Sequence, residues 1–278
     1  MVDRAKYFTN HNRIELIITY RCNMKCINCE AQVRQAPSSK EMSVKQISKF
    51  IRESIENNIR WESIRVLGGE PTLHSEIYSI IECLDKYKRD FSPNTVIMVV
   101  TNGYGNFVNR ILSELSTKYS IMIENSKKTS NLQSHFSPIN QAPMDLEAYK
   151  NCNFINGCWI PTICGIALDI HGYYPCSAAA AIARVFGLTV ARKTIPLSAD
   201  DFTELLSVFC EKCGHYYSKI NNAISHRQIE ECTVQEIESI INSQQVVMEE
   251  QITKEIISPI WEKALYQWKI KEPKLTKY

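Results

Sequence analysis

The chain has 278 residues, 44% hydrophobic and 22% charged, which is ample for a core and too apolar for a disordered chain. A formal charge of +2, from 32 basic and 30 acidic residues, gives no basic field and so excludes nucleic acid as an expected partner. Apolar runs such as 16–20 and 163–168 are far shorter than the ~18 residues of a membrane span, and residues 1–10 lack a secretory core, so the composition predicts a cytoplasmic protein with no membrane partner.

Residues 14–20 (IELIITY) read as a buried parallel strand. Ser43 and Gln46 form a capping box, and Val44, Ile47, Ile51 and Ile55 share the face of the helix that follows. Residues 63–67 form a second strand, and Ile77, Ile80, Ile81 and Leu84 mark the next helix. A third strand over 95–100 precedes a helix marked by Phe107, Val108, Ile111, Leu112 and Leu115, and 119–123 is a fourth strand. Strands alternating with helices at this spacing predict an α/β fold, a closed or partial TIM-like (β/α) barrel with its chemistry on loops after the strands. The polar stretch 125–143 is expected to be a linker or lid. Beyond it, 166–170 and 173–175 flank Gly172 as a small hairpin, and Ser198 is expected to cap a helix delivering Cys210. Thr233 and Glu236 form another capping box. No glycine follows Gly214, which suits a helical tail, and Pro259 restarts a helix whose Trp261, Leu265 and Trp268 form an expected docking face on the barrel. The expected division is a barrel core over 1–150, an annex over 151–232 and a helical tail over 233–278.

Eleven cysteines are the anomaly. Without a secretory signal they are expected to stay reduced, and clustered thiols in a reducing compartment point to metal. Cys22, Cys26 and Cys29 form a CxxxCxxC directly after the first strand. Three thiolates on one loop can bind three irons of a [4Fe–4S] cube, leaving the fourth iron open, whereas a fully ligated cube uses four cysteines. Zinc would need a fourth nearby ligand, and His11 is the sole local candidate.

This motif resembles the radical S-adenosylmethionine (radical SAM) superfamily, in which the open iron is chelated by SAM. The resemblance covers residues 12–126 and is reinforced by Gly68, Gly69, Glu70 and Pro71 at the end of the second strand. Two glycines permit close backbone approach, and Glu70 offers an acceptor for an ammonium group. The resemblance implies that this GGEP holds the methionine amino group of SAM. It further implies that Thr101 and Asn102, with Glu124 and Ser126, serve the ribose and carboxylate of SAM. Asn28 takes the position before the third cysteine, where the family often places an apolar residue beside adenine.

A second group comprises Cys158, Cys164, Cys176, Cys210 and Cys213. Four such thiolates can enclose a full cluster or a zinc. The arrangement resembles the auxiliary-cluster annexes of radical SAM enzymes, the twitch and SPASM forms. That implies Cys158, Cys176, Cys210 and Cys213 as ligands of one auxiliary [4Fe–4S] cluster, with Cys164 an alternative to Cys158. Three residues, not the usual four, separate Gly172 from Cys176. Cys83 reads as a core residue, and Cys152 and Cys232 have no assigned role. Arg184, Arg192 and Lys193 are expected on a solvated surface, and His171 and His215 as ordinary hairpin and helix-end residues.

The resemblance implies an enzyme that reductively cleaves SAM to a 5′-deoxyadenosyl radical. The radical would abstract hydrogen from a small polar substrate, with the auxiliary cluster accepting the electron, as a dehydrogenase-like oxidoreductase. A flavodoxin or ferredoxin is the expected reductant. No catalytic base is assigned; Arg184, Tyr174 and His171 lie near the annex. Two alternatives remain open. One is a peptide-modifying enzyme forming thioether or carbon–carbon crosslinks or epimers, disfavoured because only 13 residues precede the first strand where such enzymes often carry a leader-recognition domain. The other is a non-catalytic iron–sulfur electron carrier.

Overall fold

A computed structural model describes residues 7–133, 136, 138–216, 255 and 257–272. Cys232 and the capping box expected at Thr233 and Glu236 lie outside the described residues. The elements in chain order are β1 (Arg13–Thr19), α1 (Val44–Glu56), β2 (Ser63–Gly68), α2 (Ile77–Asp90), β3 (Val96–Thr101), α3 (Asn106–Lys118) and β4 (Met122–Asn125). There follow α4 (Ile160–Ile163), β5 (Ile166–Asp169), β6 (Gly172–Tyr174), α5 (Ser177–Phe186), α6 (Thr203–Cys210) and α7 (Pro259–Lys271).

The six strands form one sheet in the order β4-β3-β2-β1-β5-β6. β1 to β4 run parallel, joined by the helical crossovers that parallel pairing requires. The hairpin does not stand apart. β5 pairs in parallel with the free edge of β1, Ile14 opposite Ile166 and Leu16 opposite Leu168, and β6 closes the edge antiparallel. The sheet is thus an open, partial barrel with β1 near its middle.

Side-chain alternation gives the sheet two different faces. Ile14, Leu16, Ile18, Ile64, Val66, Ile97 and Val99 lie on one face and are wholly buried. They share a core with Ile47 and Phe50 of α1, Ile80, Ile81 and Leu84 of α2, and Ile111, Leu112 and Leu115 of α3. The other face is partly open and carries Glu15, Arg65 and Glu124. The capping box of α1 forms as expected, with Gln46 N–H donating to Ser43 Oγ at 3.3 Å and Gln46 Oε1 accepting from Ser43 N–H at 3.0 Å.

Three local expectations need correction. Phe107, in the first turn of α3, is exposed with the Arg110 guanidinium over its ring, and Val108, Ile111, Leu112 and Leu115 form the buried face. Ser198 does not cap α6; the turn before it is made by Asp200 and Asp201, which accept from the N–H groups of Phe202 and Thr203, with Phe202 left-handed at φ +55°. The Trp261, Leu265 and Trp268 stripe is buried, but α7 packs on α5 of the annex. Trp261 meets Phe186 edge-on at 5.0 Å, and its indole N–H donates to Lys212 O at 2.7 Å.

Candidate functional site

The loop after β1 carries Cys22, half-buried, with Cys26 and Cys29, buried. Burial pushes the Cys22 thiol up to about 11, with the neighbouring Cys29 and Cys26 adding to the shift. Burial likewise raises Cys29, and Cys26 adds to it. The three thiols are thus near enough to interact electrostatically. The loop is held from three sides. From β3, Asn102 Nδ2 donates to Asn23 Oδ1 at 2.8 Å, and Asn23 Nδ2 donates to Tyr104 O at 2.7 Å. From the stretch after β4, Asn131 accepts the Lys25 N–H at 2.9 Å through Oδ1 and the Ile27 N–H at 2.8 Å through its carbonyl. That stretch acts as a strap on the cysteine loop, which answers the expectation of a linker or lid. The third hold comes from Arg184 of α5.

The two glycines of GGEP are explained by contact with the same loop. Gly69 N–H donates to Thr19 O at 2.9 Å and Glu70 N–H to Arg21 O at 2.8 Å. A Cβ on Gly69 would lie 2.3 Å from Arg21 O and 3.0 Å from Cys22 Cβ; one on Gly68, at φ +151°, would lie 2.2 Å from Thr19 O. Only glycine fits there.

Glu70, expected to offer an acceptor for an ammonium group, is fully buried. Its carboxylate accepts from Thr72 Oγ1 at 2.7 Å, Thr72 N–H at 3.2 Å, Thr101 Oγ1 at 2.9 Å and Asn102 N–H at 2.8 Å. These donors fill both oxygens, so the side chain is a strut tying the turn after β2 to the turn after β3. Pro71 is buried in the short helical turn that follows. Thr101 and Asn102 are buried by this arrangement. Ser126 is exposed at the rim, its N–H donating to Thr101 O at 3.0 Å. Asn28 is buried in a left-handed conformation, φ +53°. Its backbone N–H serves the Glu255 carboxylate, which also pairs with Arg34 at 3.4 Å.

Glu124 is occupied differently. Arg65 Nη2 bonds both its oxygens at 2.9 and 3.0 Å, while Arg65 Nη1 donates to Glu15 Oε1 at 2.5 Å. Glu15 is 3% exposed, and burial raises its carboxyl above the usual range against the opposing pull of Arg65 and a hydrogen bond from Ser177. This charged row was not anticipated. The available signal was an acid inside an otherwise apolar strand, since a buried carboxylate must be paired.

In the annex, Cys158, Cys176, Cys210 and Cys213 line one cavity, together with Ile160, Leu206, Phe209 and Tyr216. All four cysteines are buried. Burial pushes Cys176 well up, with the nearby Cys158 and Cys213 thiols adding to it. Cys176 caps α5, its sulfur accepting the Ala179 N–H at 3.4 Å. Cys164 is not in this group. It sits by Arg65, with Nη1 at 3.9 Å from its sulfur, and burial pushes it up to about 12. The short helix α4 lies between Cys158 and Cys164, and turns at Gly157 and Gly165, both at positive φ, direct them to different surroundings. No disulfide joins any of the ten described cysteines.

His11 stacks on Phe202 at 6.1 Å, so it is not a partner of the first cysteine loop. Among the described residues, no three His, Cys, Asp or Glu side chains gather closely enough to hold a single metal ion. His171 is exposed on the hairpin turn, and Tyr174 is buried with its hydroxyl raised by burial. His215 is buried, lines the annex cavity and stands 3.3 Å from Glu30, beside Cys29. Lys193 is exposed, as expected, but Arg192 is engaged with Asp200 and Glu204. Arg184 departs furthest from the expected solvated surface. Its guanidinium donates to Ala36 O at 2.5 Å, Ala31 O at 2.9 Å and Gln32 O at 3.3 Å. Cys83 packs partly buried against the core, as expected.

Comparison with known proteins agrees with this geometry. Residues 16–125 match the family model described as the radical SAM superfamily. This segment is a radical SAM domain. It is 34% identical over 91 residues to a probable GTP 3′,8-cyclase of Methanococcus maripaludis, a match spanning 32% of this chain and 30% of that protein. It is 28% identical over 95 residues to the GTP 3′,8-cyclase of Campylobacter jejuni subsp. doylei, spanning 34% and 28%. The chain thus spans less than a third of the length of these relatives. Among solved structures, BtrN in complex with AdoMet and 2-DOIA aligns over 76% of this chain and 90% of that one, at 13% identity and TM-score 0.42. No helix among the described residues is long and apolar enough to cross a membrane.

Proposed function

We propose that this chain is a radical SAM enzyme with a second iron–sulfur cluster in its annex, acting as an oxidoreductase on a small polar substrate. The observation that carries the reading is the cavity where Cys158, Cys176, Cys210 and Cys213 meet. These thiols come from three separated parts of the chain and line one space, as ligands of a shared group would. A zinc ion would draw four sulfurs to about 2.3 Å from one point.

The donor sets fit both groups. Cys22, Cys26 and Cys29 would hold three irons of one [4Fe–4S] cluster, and the four annex cysteines would ligate the other fully. When bound, the first cluster and SAM supply the 5′-deoxyadenosyl radical for hydrogen abstraction, and the second supplies an electron acceptor. The remaining work belongs to the chain. Gly68 and Gly69 bring the GGEP backbone against the cysteine loop, and Glu70 locks the two rim turns together. Of the groups on the open face of the sheet, Glu15 is suited to take the substrate proton. Arg65 fixes one of its oxygens, and burial raises its affinity for a proton.

The cyclase relatives share only the radical SAM segment, so they support SAM binding and leave the substrate to the annex and loops of this chain. The test is equilibrium dialysis with SAM, then dithionite reduction and chromatography of 5′-deoxyadenosine. Protein reconstituted anaerobically should hold about eight irons and release 5′-deoxyadenosine. Failure to bind SAM leaves the electron-carrier reading in its place. In Glu15→Gln, 5′-deoxyadenosine should still form while substrate oxidation is lost.

A further inference from the structure

Arg184 is the one charged residue of α5, whose sequence is SAAAAIARVF. Its guanidinium reaches out of the annex and grips the segment directly after Cys29 through the carbonyls of Ala31, Gln32 and Ala36. It also lies over the Tyr20 ring at 4.4 Å. The Tyr20 hydroxyl donates to Asp169 Oδ2 at 2.7 Å, and Asp169 is itself fully buried and fixed by the His171 and Gly172 N–H groups. The ring under the guanidinium is therefore immobilised by the hairpin.

The gripped segment needs holding. Gln32 is fully buried in a left-handed conformation at φ +54°, and Asn28, on the other side of Cys29, has φ +53°. Such conformations persist for residues with side chains only where the surroundings over-determine them. Gln32 meets Cys29 twice, its backbone N–H donating to Cys29 O at 2.9 Å and its Nε2 at 3.0 Å. Whatever fixes Gln32 thus fixes the backbone of Cys29. The rest of α5 is buried almost throughout, from Ala178 to Ala183 and at Val185. A buried helix moves as a unit, so the Cys176 sulfur capping its start and the guanidinium near its end are mechanically joined.

Resting on the reading that both cysteine groups hold clusters, we propose that Arg184 is a positioning residue that couples occupancy of the annex cavity to the geometry of the Cys22, Cys26 and Cys29 loop. The connecting rod is α5. Arginine suits the task because its planar fork serves several carbonyls at once, where lysine presents one compact charge.

The test uses the full chain, reconstituted anaerobically, as the parent, Arg184→Met, Arg184→Lys, Cys213→Ser and the Arg184→Met/Cys213→Ser pair. Iron content, SAM dissociation constant by equilibrium dialysis, and amide exchange over residues 30–36 are measured, with exchange in β3 as a reference for general loss of stability. Arg184→Met should retain the N-terminal irons, bind SAM roughly tenfold more weakly and exchange faster over 30–36 but not in β3. Arg184→Lys should fall between it and the parent, and it carries the comparison should Arg184→Met not fold. Cys213→Ser should weaken SAM binding by a similar factor, and the pair should lose little more than either alone, since both lesions break one link. Parental SAM binding and exchange in the Arg184 variants overturns the proposal. Losses that multiply in the pair overturn the coupling. A parent that binds no SAM overturns the cluster reading instead, and exchange over 30–36 still decides whether Arg184 holds the loop.

Discussion

The two cysteine groups are built by opposite means. The first is a single loop of eight residues whose thiols are spaced by the sequence itself. It is held by polar contacts from β3, Asn131 and Arg184. The second gathers four thiols from the segment before α4, the start of α5 and the end of α6, in a cavity lined by apolar side chains. A loop that leaves one iron open must admit a ligand and so stays at the rim, where polar groups position it. A fully ligated core needs no access and can be walled in by Leu206, Phe209 and Tyr216. On the proposed reading, the difference in what holds the two groups would follow the difference in chemistry, open against closed.

The largest expected effects separate these two roles. Replacing Cys22, Cys26 and Cys29 by alanine should abolish SAM cleavage, measured as 5′-deoxyadenosine after dithionite reduction. Replacing Cys210 and Cys213 should spare some uncoupled cleavage while substrate oxidation fails. Next, Cys158→Ala should lower bound iron by about four per chain, whereas Cys164→Ala, beside Arg65, should leave the iron content at the parental value. Equal losses in the two variants would mean that the annex cavity is not the ligand shell described above.

A smaller effect tests the strut that makes the rim rigid. Glu70→Ala leaves the donors of Thr72, Thr101 and Asn102 buried without an acceptor, at about 1–3 kcal/mol for each group left unsatisfied. Urea unfolding should show a loss of at least about 3 kcal/mol, and Glu70→Gln, which keeps the volume and the acceptor oxygen, a markedly smaller one. The smallest effect concerns Glu15. Burial raises its carboxyl in the folded state, so folding binds a proton more tightly and the stabilisation is full below the usual carboxylate range. It is lost as pH rises through the folded value. The parent should therefore lose stability relative to Glu15→Gln as pH rises above the usual carboxylate range, read from paired urea curves.

Much of the fold was legible because it is local. The alternation of short apolar runs with helical stripes placed β1 to β4 within a residue or three of their observed bounds and marked the helices between them, and CxxxCxxC is a motif of one loop. What was not legible depends on partners distant in sequence. Nothing in residues 166–169 announces that they pair with β1. Cys158 and Cys164 are indistinguishable until Gly157 and Gly165 turn the chain on either side of α4. Arg184 was misplaced on the surface although its surroundings carried a signal. A lone cation in a helix of alanine, isoleucine, valine and phenylalanine has no polar face to share, so its charge must be met elsewhere in the protein.

The place of β1 in the sheet has a consequence for how the protein comes into being. While the nascent chain is emerging, β2 can pair with one side of β1 early, but the other side waits until residues 166–168 have been made. Through that interval β1 offers an open, strongly apolar edge, the kind of template that recruits other chains. The loop with Cys22, Cys26 and Cys29 begins three residues after β1 ends. Its anchor on α5 is synthesised later still. The backbone after Cys29 is thus gripped from α5 only once the hairpin and the helix behind it have been made.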